Sequence, residues 1–556
     1  MSALAPIDRF RLALHRFSRL GRAGIGTLAA PLTRWRAARG SGSQLLIAPP
    51  DLRTTDPTIA NDIYAGRFAF AGQSVETEGR SPFDTEPPSD DWLRALHEFG
   101  WLRHLRAADT ELARSNAQAI VADWLTAYGR SGEPAWEPAV AARRTMAFLS
   151  QSPLILSNAD LTLYRAYVRA LLRHAAFLRT RFATIEAGVP RLRAATAIAM
   201  VGLSLSRQDR LIRAGMERVE SELAAQVLSD GGHITRNPAA IVEILLDLLP
   251  LRQTLIARNQ SPSDLMLRAI DRMIPMLRFF RHADGTIANF NGVASSANDI
   301  TATVLAYDET LGSPVSSARY SGYERITAGP ALLIADAGAP PPLAYSADAH
   351  AGALSFEMSV AGQGIISNCG APAKRHADLR HAARLTAAHS TAVIGNQSSC
   401  QFSSPQPDIR IVSGPRALTS RRREEEDGSQ RLEMSHDGYQ RLFGYIHERT
   451  LVLSATGDRL TGRDRFSGQG NGSEPDFAVR FHLHYTVHAE PGADGAGIDL
   501  HLPDGSLWRF ESSRAVDLEP SIFLSDVFGS QRTQQIVISG TCRDQMSVDW
   551  RLFRAR

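Results

Sequence analysis

The spacing of apolar residues in this chain changes near Ser317, and no other feature constrains its fold as tightly. From about Asp91 to Leu311, stretches such as DWLRALHEFGWLRHLR, LTLYRAYVRALLRHAAFLRTRFA, RAATAIAMVGLSL and AAIVEILLDLLPLRQTLIARN place apolar residues three and four apart, the period of an amphipathic helix. Short breaks carrying Gly, Pro, Asn or Asp separate them, which predicts successive antiparallel helix pairs. Beyond Ser317, runs such as GYERITAGPALLIADAG, GALSFEMSVAGQGIISNCG, TLVLSATG and FAVRFHLHYTVHA are short, β-rich and punctuated by Gly, Asp and Asn. Helices and strands in separate blocks argue for two domains rather than one interleaved sheet. A chain of 556 residues is also too long for one ordinary core. The expected division is a basic N-terminal segment and extended lead-in over residues 1–90, a helical domain over 91–317 and a β domain over 318–556. A cleft between such domains is a favoured place for a ligand.

Charge narrows the partners. Lys+Arg number 61 against 58 Asp+Glu, so no global basic field points to nucleic acid. Lys374 is the sole lysine. A GC-rich genome produces that bias, and guanidinium forks also suit bidentate contacts to uronate carboxylates. Three cysteines, Cys369, Cys400 and Cys542, lack CxxC spacing and permit at most one bridge. No apolar run reaches membrane-spanning length. The N-terminus is Arg-rich and nearly acid-free, without the apolar core and cleavage site of a secretory signal. Its Phe10, Leu12, Leu14, Phe17 and Leu20 can line one side of a helix. Such a helix docks on an anionic membrane surface or packs on the protein's own body, and the second is favoured.

Three segments carry candidate chemistry. In Asp230-Gly-Gly-His-Ile-Thr-Arg-Asn-Pro238, turning and capping account for Gly231, Gly232, Asn237 and Pro238, but not for His233 and Arg236. A His and an Arg beside a helix N-terminus make an anion-facing surface. Arg281 to Gly292 offers Phe290 to stack on a sugar, with His282, Asn289 and Asn291 as hydrogen-bonding groups; a solvated loop is the plainer reading. In the β block, His350 and His389 with Cys369 or Asn368 between them in sequence can meet across strands as a zinc site, although a lone strand His is usually structural. His436, Tyr439 and His447 follow.

Taken in order, these segments resemble the heparinase II/III-like family. DGGHITRNP leading into AAIVEILLDLL is similar to that family's DGGH-type loop and Leu-rich helix. HAGALSFEMS, IISNCGAP and ARLTAAHSTAVIGNQSS resemble its central sandwich strands, and HDGYQRLFGYIHERTLVLS with LTGRDRF the strands after them. The resemblance implies an α/α toroid followed by an antiparallel β-sandwich, and lyase action on an acidic, glycosaminoglycan-like polysaccharide by β-elimination. It also implies a cell-envelope or periplasmic location, with the cytoplasm as the alternative. Some family positions differ: Val189-Pro190 stands where family lyases often have Asn-His, and Ala240 where they carry a Tyr. Asn368 replaces a metal-site carboxylate, while Asp348 and Gly352 replace a His and an Asp near His350.

Elimination needs a neutralised uronate carboxylate, a base for the C5 proton and an acid for the departing O4. The expected assignment is His233 as base or acid, Arg236 or Asn237 as carboxylate clamp, and Tyr439 or His436 as the remaining proton carrier. No cofactor is required; His350, His389 and Cys369 are the candidate ligands of a structural zinc. The rival expectation is a glycan-binding or polysaccharide-assembly accessory protein that keeps the cleft without the chemistry. No carboxylate pair marks a hydrolase.

Overall fold

The computed structural model describes residues 5–17 and 43–555, apart from 294–297, 308–313, 373–376, 404–408, 473, 494, 496, 526–528 and 544–545. Helices fill the first block and strands the second, as the change of period predicts. Many helix starts are set by a side chain that accepts an otherwise unpaired backbone N–H: Ser89 from Trp92, Thr110 from Ala113, Asp160 from Leu163, Asn237 from Ala239 and Ser263 from Met266. Pro138–Ile155, Val189–Ser204 and Pro238–Ala257 are buried on most sides, whereas Leu161–Arg181 and Asp209–Gln226 bury mainly one face. The result is an α/α toroid. Gly215 lets Asp209–Gln226 lie against Val189–Ser204, because a Cβ there would sit 2.5 Å from the Ala199 nitrogen.

The lead-in is more structured than its composition indicates. It holds a short helix, Ile59–Tyr64, and a hairpin pairing Arg67–Phe70 with Gln73–Glu76. Ala71 and Gly72 turn the hairpin, both with positive φ, the geometry that matches strand twist in a two-residue loop. Phe68 packs edge-on to Trp101, and the Trp92 indole donates to the Phe68 carbonyl at 3.1 Å. RFAF is too short a run to show a period; its partners lie in the toroid.

The second block is a sandwich of two antiparallel sheets. One has eight strands, running Leu418–Glu424, Gln430–His436, Ile446–Leu453, Arg459–Ser467, Met546–Arg554, Leu507–Ser512, Ile498–His501 and His488–Pro491. The other centres on Asp476–Leu483, Gln363–Ser367, Phe356–Val360, Ala331–Asp336 and Tyr323–Ala328. Phe356 of one sheet stacks on Trp550 of the other at 5.9 Å, and Phe481 meets Trp550 and Phe510. The three cysteines are buried free thiols.

The DGGHITRNP loop joins the toroid to the sandwich. Asp230 accepts from the Tyr320 and Ser321 amides at 2.8 and 2.7 Å. Gly231 and Gly232 allow this approach, since Cβ atoms there would lie 2.0 Å from the Arg272 carbonyl oxygen and 2.5 Å from the Ser321 Cβ. Arg236, with φ of 60°, sends its guanidinium into the sandwich. It donates to the carbonyls of Ser321, Gly322, Gly338 and Ala339 and to Asp336 at 2.5 Å, and lies over the Tyr323 ring at 4.6 Å. Arg236 is therefore an interdomain latch rather than a substrate clamp, because its donors are committed to the protein. Removing one partner of a buried pair strands the other, at a cost of about 3–5 kcal/mol. Arg236→Ala should lower the unfolding free energy by about that amount in a denaturant titration, whereas Arg11→Ala, at an exposed position, should leave it nearly unchanged.

Candidate functional site

Where the two domains meet, a cavity of about 580 Å³ opens between the start of the Pro238 helix, the Gly188 turn and the sandwich loops. Thr235, Asn237, Ala240, Asn291, Tyr345 and His350 line it. A second space of about 470 Å³ in the toroid shares Arg143, Arg193 and Leu246 with it, so the cleft continues toward the toroid interior. There Asp51 and Arg53 of the lead-in are anchored, Arg53 to Asp247 at 2.5 Å and Asp51 to Gln151 at 3.2 Å.

The charges of the cleft are matched within the protein. Its walls carry Arg143, Arg193, Arg380 and Arg384 against Glu186, Glu243 and Asp348, four cations to three anions. Arg193 bonds Glu243 at 2.7 Å and Asp247 at 2.8 Å. Arg143 lies 3.4 Å from Glu243, Arg380 is 2.5 Å from Asp348, and Glu186 is held by Arg410 at 2.6 Å. Arg384 donates to the carbonyls of Ala349, Ile409 and Ser346.

The sequence-predicted proton carriers fall elsewhere. His233 is buried and does not line the cavity. Its Nδ1 faces the Thr235 hydroxyl at 2.6 Å and its Nε2 the Gln226 amide oxygen at 3.0 Å, so both ring nitrogens are engaged. His436 and Tyr439 lie inside the sandwich: the Tyr439 hydroxyl donates to the Ala392 carbonyl, and His436 abuts His447 at 3.4 Å. His447 in turn meets Asp464 at 2.7 Å; that carboxylate also takes a fork from Arg449 and the Trp550 indole N–H. Burial opposes ionisation there, but Arg449 and His447 outweigh it and hold Asp464 well below the usual carboxylate range.

Among the expected substrate-binding groups, Asn237 and Asn291 line the cavity, but both are also structural. Asn237 caps its helix; Asn291 donates to the Tyr323 hydroxyl at 2.7 Å and accepts from the His350 amide at 3.0 Å. His282 bonds Ser359 and Glu357 and is turned into the sandwich; the Asn289 backbone N–H also donates to Glu357, and its side chain is buried. Phe290 packs against Tyr323 rather than facing solvent.

The zinc expectation lacks a third ligand among the described residues. His350 Nδ1 and His389 Nε2 are 3.0 Å apart, in direct hydrogen-bond contact. Cys369 faces His482 at 3.5 Å instead. Asn368 accepts from the Ser390 amide and donates to the Asn289 carbonyl. Among the described residues no three His, Cys, Asp or Glu are grouped to hold an ion.

The same contact orders the imidazoles. His389 Nδ1 faces the Leu385 carbonyl at 2.9 Å and must donate, so its Nε2 accepts from His350 Nδ1. His350, on the cavity wall, is left with Nε2 as its basic nitrogen. Sequence reasoning missed Tyr345, Arg143, Arg193, Glu243 and Arg380. Arg193 had a signal: a lone charge within LRAATAIAMVGL, matched by Glu243 and Asp247 one turn apart in EILLD.

Residues 310–551 match the family model described as Heparinase II/III-like, C-terminal. A curated protein of Caulobacter vibrioides, FtsZ-localized protein C, is 31% identical over 528 residues, spanning 91% of this chain and 90% of its own. The chain belongs to the heparinase II/III-like family. Its fold is that of the solved heparinase III, with a TM-score of 0.66 at 15% identity over 87% of this chain and 80% of the other. A mutant of the heparan sulfate lyase HepC from Pedobacter heparinus superposes with a TM-score of 0.62 at 15% identity, over 95% and 88%. At such identities these structures speak for the fold.

Burial makes three histidines a pH-sensitive set. It holds His233 and His482 at about 3 and His389 at about 4, against 6.5 for an ordinary imidazole. The folded state keeps them neutral while the unfolded chain takes up protons below 6.5, so stability is lost as pH falls from there toward 4. Each contributes about 1.4 kcal/mol per pH unit in that window. The Tm should therefore fall between pH 7 and roughly pH 5, and His233→Gln should shallow that fall.

Proposed function

We propose that this chain is an accessory glycan-binding protein that keeps the toroid–sandwich cleft of its family and does not perform elimination. The observation that carries this reading is the internal pairing of the cleft. Arg143, Arg193 and Arg380 each face a carboxylate, and Arg384 faces carbonyls. A polyanion would have to displace those partners at every contact. A saccharide with few charges per sugar would instead meet donors and acceptors already fixed in place, with Tyr345 offering a ring face. Ala240 at the toroid wall supports the same reading, since it brings no proton carrier to the cavity. The name of the Caulobacter relative associates that protein with FtsZ; we extend to this chain a role at the site where FtsZ assembles.

One observation favours a second reading, elimination from this cleft: the tautomer that leaves His350 Nε2 as a base on the cavity wall. A panel of uronate-containing polysaccharides separates the two. Under the accessory reading, no unsaturated-uronate absorbance develops from that panel, calorimetry registers tighter binding of neutral or sparsely charged polysaccharides than of the uronate-rich ones, and Tyr345→Ala weakens that binding by about tenfold, the worth of one aromatic contact. Absorbance that grows with the wild-type protein and vanishes in His350→Ala would replace the accessory reading with the lyase.

A further inference from the structure

Residues 6–17 form a helix whose polarity is inverted relative to the body it sits on. Asp8 and Leu12, one turn apart, are its buried residues. Asp8 is 1% exposed and lies 3.9 Å from Arg416 and 3.8 Å from Arg441 of the sandwich. Ile7, Phe10, Leu14 and Phe17, spaced three and four apart on the opposite face, are 59, 67, 58 and 76% exposed. The helix thus turns its acid inward and its apolar stripe outward, the reverse of a helix that packs on its own domain. No other segment of the described residues exposes four large apolar side chains in one row. Of the apolar side read from the sequence, Leu12 packs inward, Phe10, Leu14 and Phe17 face out, and Leu20 lies outside the described residues.

The charges around the stripe identify its occupant. Arg9 and Arg16 lie along one flank and Arg11 along the other, all exposed. From Arg9 onward the sequence holds eight arginines and no acid before Asp51. A protein partner needs a shaped counter-surface, whereas an apolar stripe bordered by arginines fits the boundary between lipid headgroups and acyl chains, where Arg stems lie along apolar surface and guanidiniums reach phosphates. No helix of the described residues is long and apolar enough to cross a membrane. We propose that residues 6–17 are an interfacial anchor that lays the Ile7–Phe10–Leu14–Phe17 face into an anionic lipid surface, with Asp8 fixing the helix to the sandwich and hence orienting the whole molecule on the bilayer. This inference is independent of what the cleft binds.

The test is sedimentation of the full-length protein with vesicles of mixed phosphatidylglycerol and phosphatidylcholine, and with phosphatidylcholine alone. Wild type should pellet with the anionic vesicles, fall off in high salt, and bind the neutral ones much less. Phe10→Glu combined with Leu14→Glu should lower partitioning by more than tenfold. Arg9→Glu and Arg11→Glu should each lower it by at least about fivefold, the value of one basic residue at an anionic surface. Because these side chains are solvent-exposed, an unchanged melting curve shows that the variants fold. Three results would each overturn the proposal: no vesicle binding by wild type, Phe10→Glu/Leu14→Glu pelleting like wild type, or a self-associated wild type that the same pair converts to monomer without affecting vesicle binding.

Discussion

The buried guanidinium of Arg236 is the contact on which the relation of the two domains depends. It leaves the toroid from a left-handed backbone position and ends among four sandwich carbonyls and Asp336. The Tyr323 hydroxyl returns to the Arg236 carbonyl at 2.6 Å, and Asn291 holds Tyr323 while it receives the His350 amide. One connected polar network therefore spans the toroid loop, two sandwich strands and a cavity wall. In a low-dielectric interior such a network favours one arrangement, because each unpaired member is costly. The cleft owes its shape to that network, and its lining residues inherit their positions from it.

The same physics explains why so many histidines of the sandwich are not chemical groups. His436, His447 and Asp464 form a line inside it, closed by Arg449 and the Trp550 indole. His482 bridges Ser521 and the Ala387 carbonyl. In each case burial keeps the imidazole neutral and gives it one donor and one acceptor to place. His436, His447 and Asp464 stand on strands already paired along their backbones and add side-chain contacts across them, whereas His482 reaches Ser521 on a strand its own does not pair with. His350 belongs to such a pair as well, yet it stands at the cavity wall with its basic nitrogen defined by its partner.

Membership of a lyase family and the pairing seen in the cleft are compatible. A family fold supplies a groove between a helical ring and a sandwich; the chemistry depends on which side chains enter it. Here the groove is walled by ion pairs that satisfy each other, and the lead-in contributes Asp51 and Arg53 to the toroid end of the space. Arginine serves these roles well, because one guanidinium can hold a carboxylate and still stiffen the wall through further donors.

The sequence by itself determined the two blocks, their order and the family. Those depend on local period, three to four for helices and two for strands, and on an ordered series of short motifs, all of which are properties of neighbours in the chain. It also identified the DGGHITRNP loop as special and Asn237 as a cap, since turning and capping are local. What only the tertiary structure decided was what each polar side chain faces. Arg236 could bind an anion from outside or one from the sandwich; Asp336, a hundred residues on in the chain, settles which. His350 and His389 have the residue types of a metal site, and the fold sets them as a hydrogen-bonded pair with no third ligand beside them among the described residues. The apolar stripe of the N-terminal helix has the period of a packed face, and the fold buries Asp8 and Leu12 on its other side instead. A residue's type states what it is able to bond; which partner occupies it depends on groups distant in sequence, brought within reach by folding.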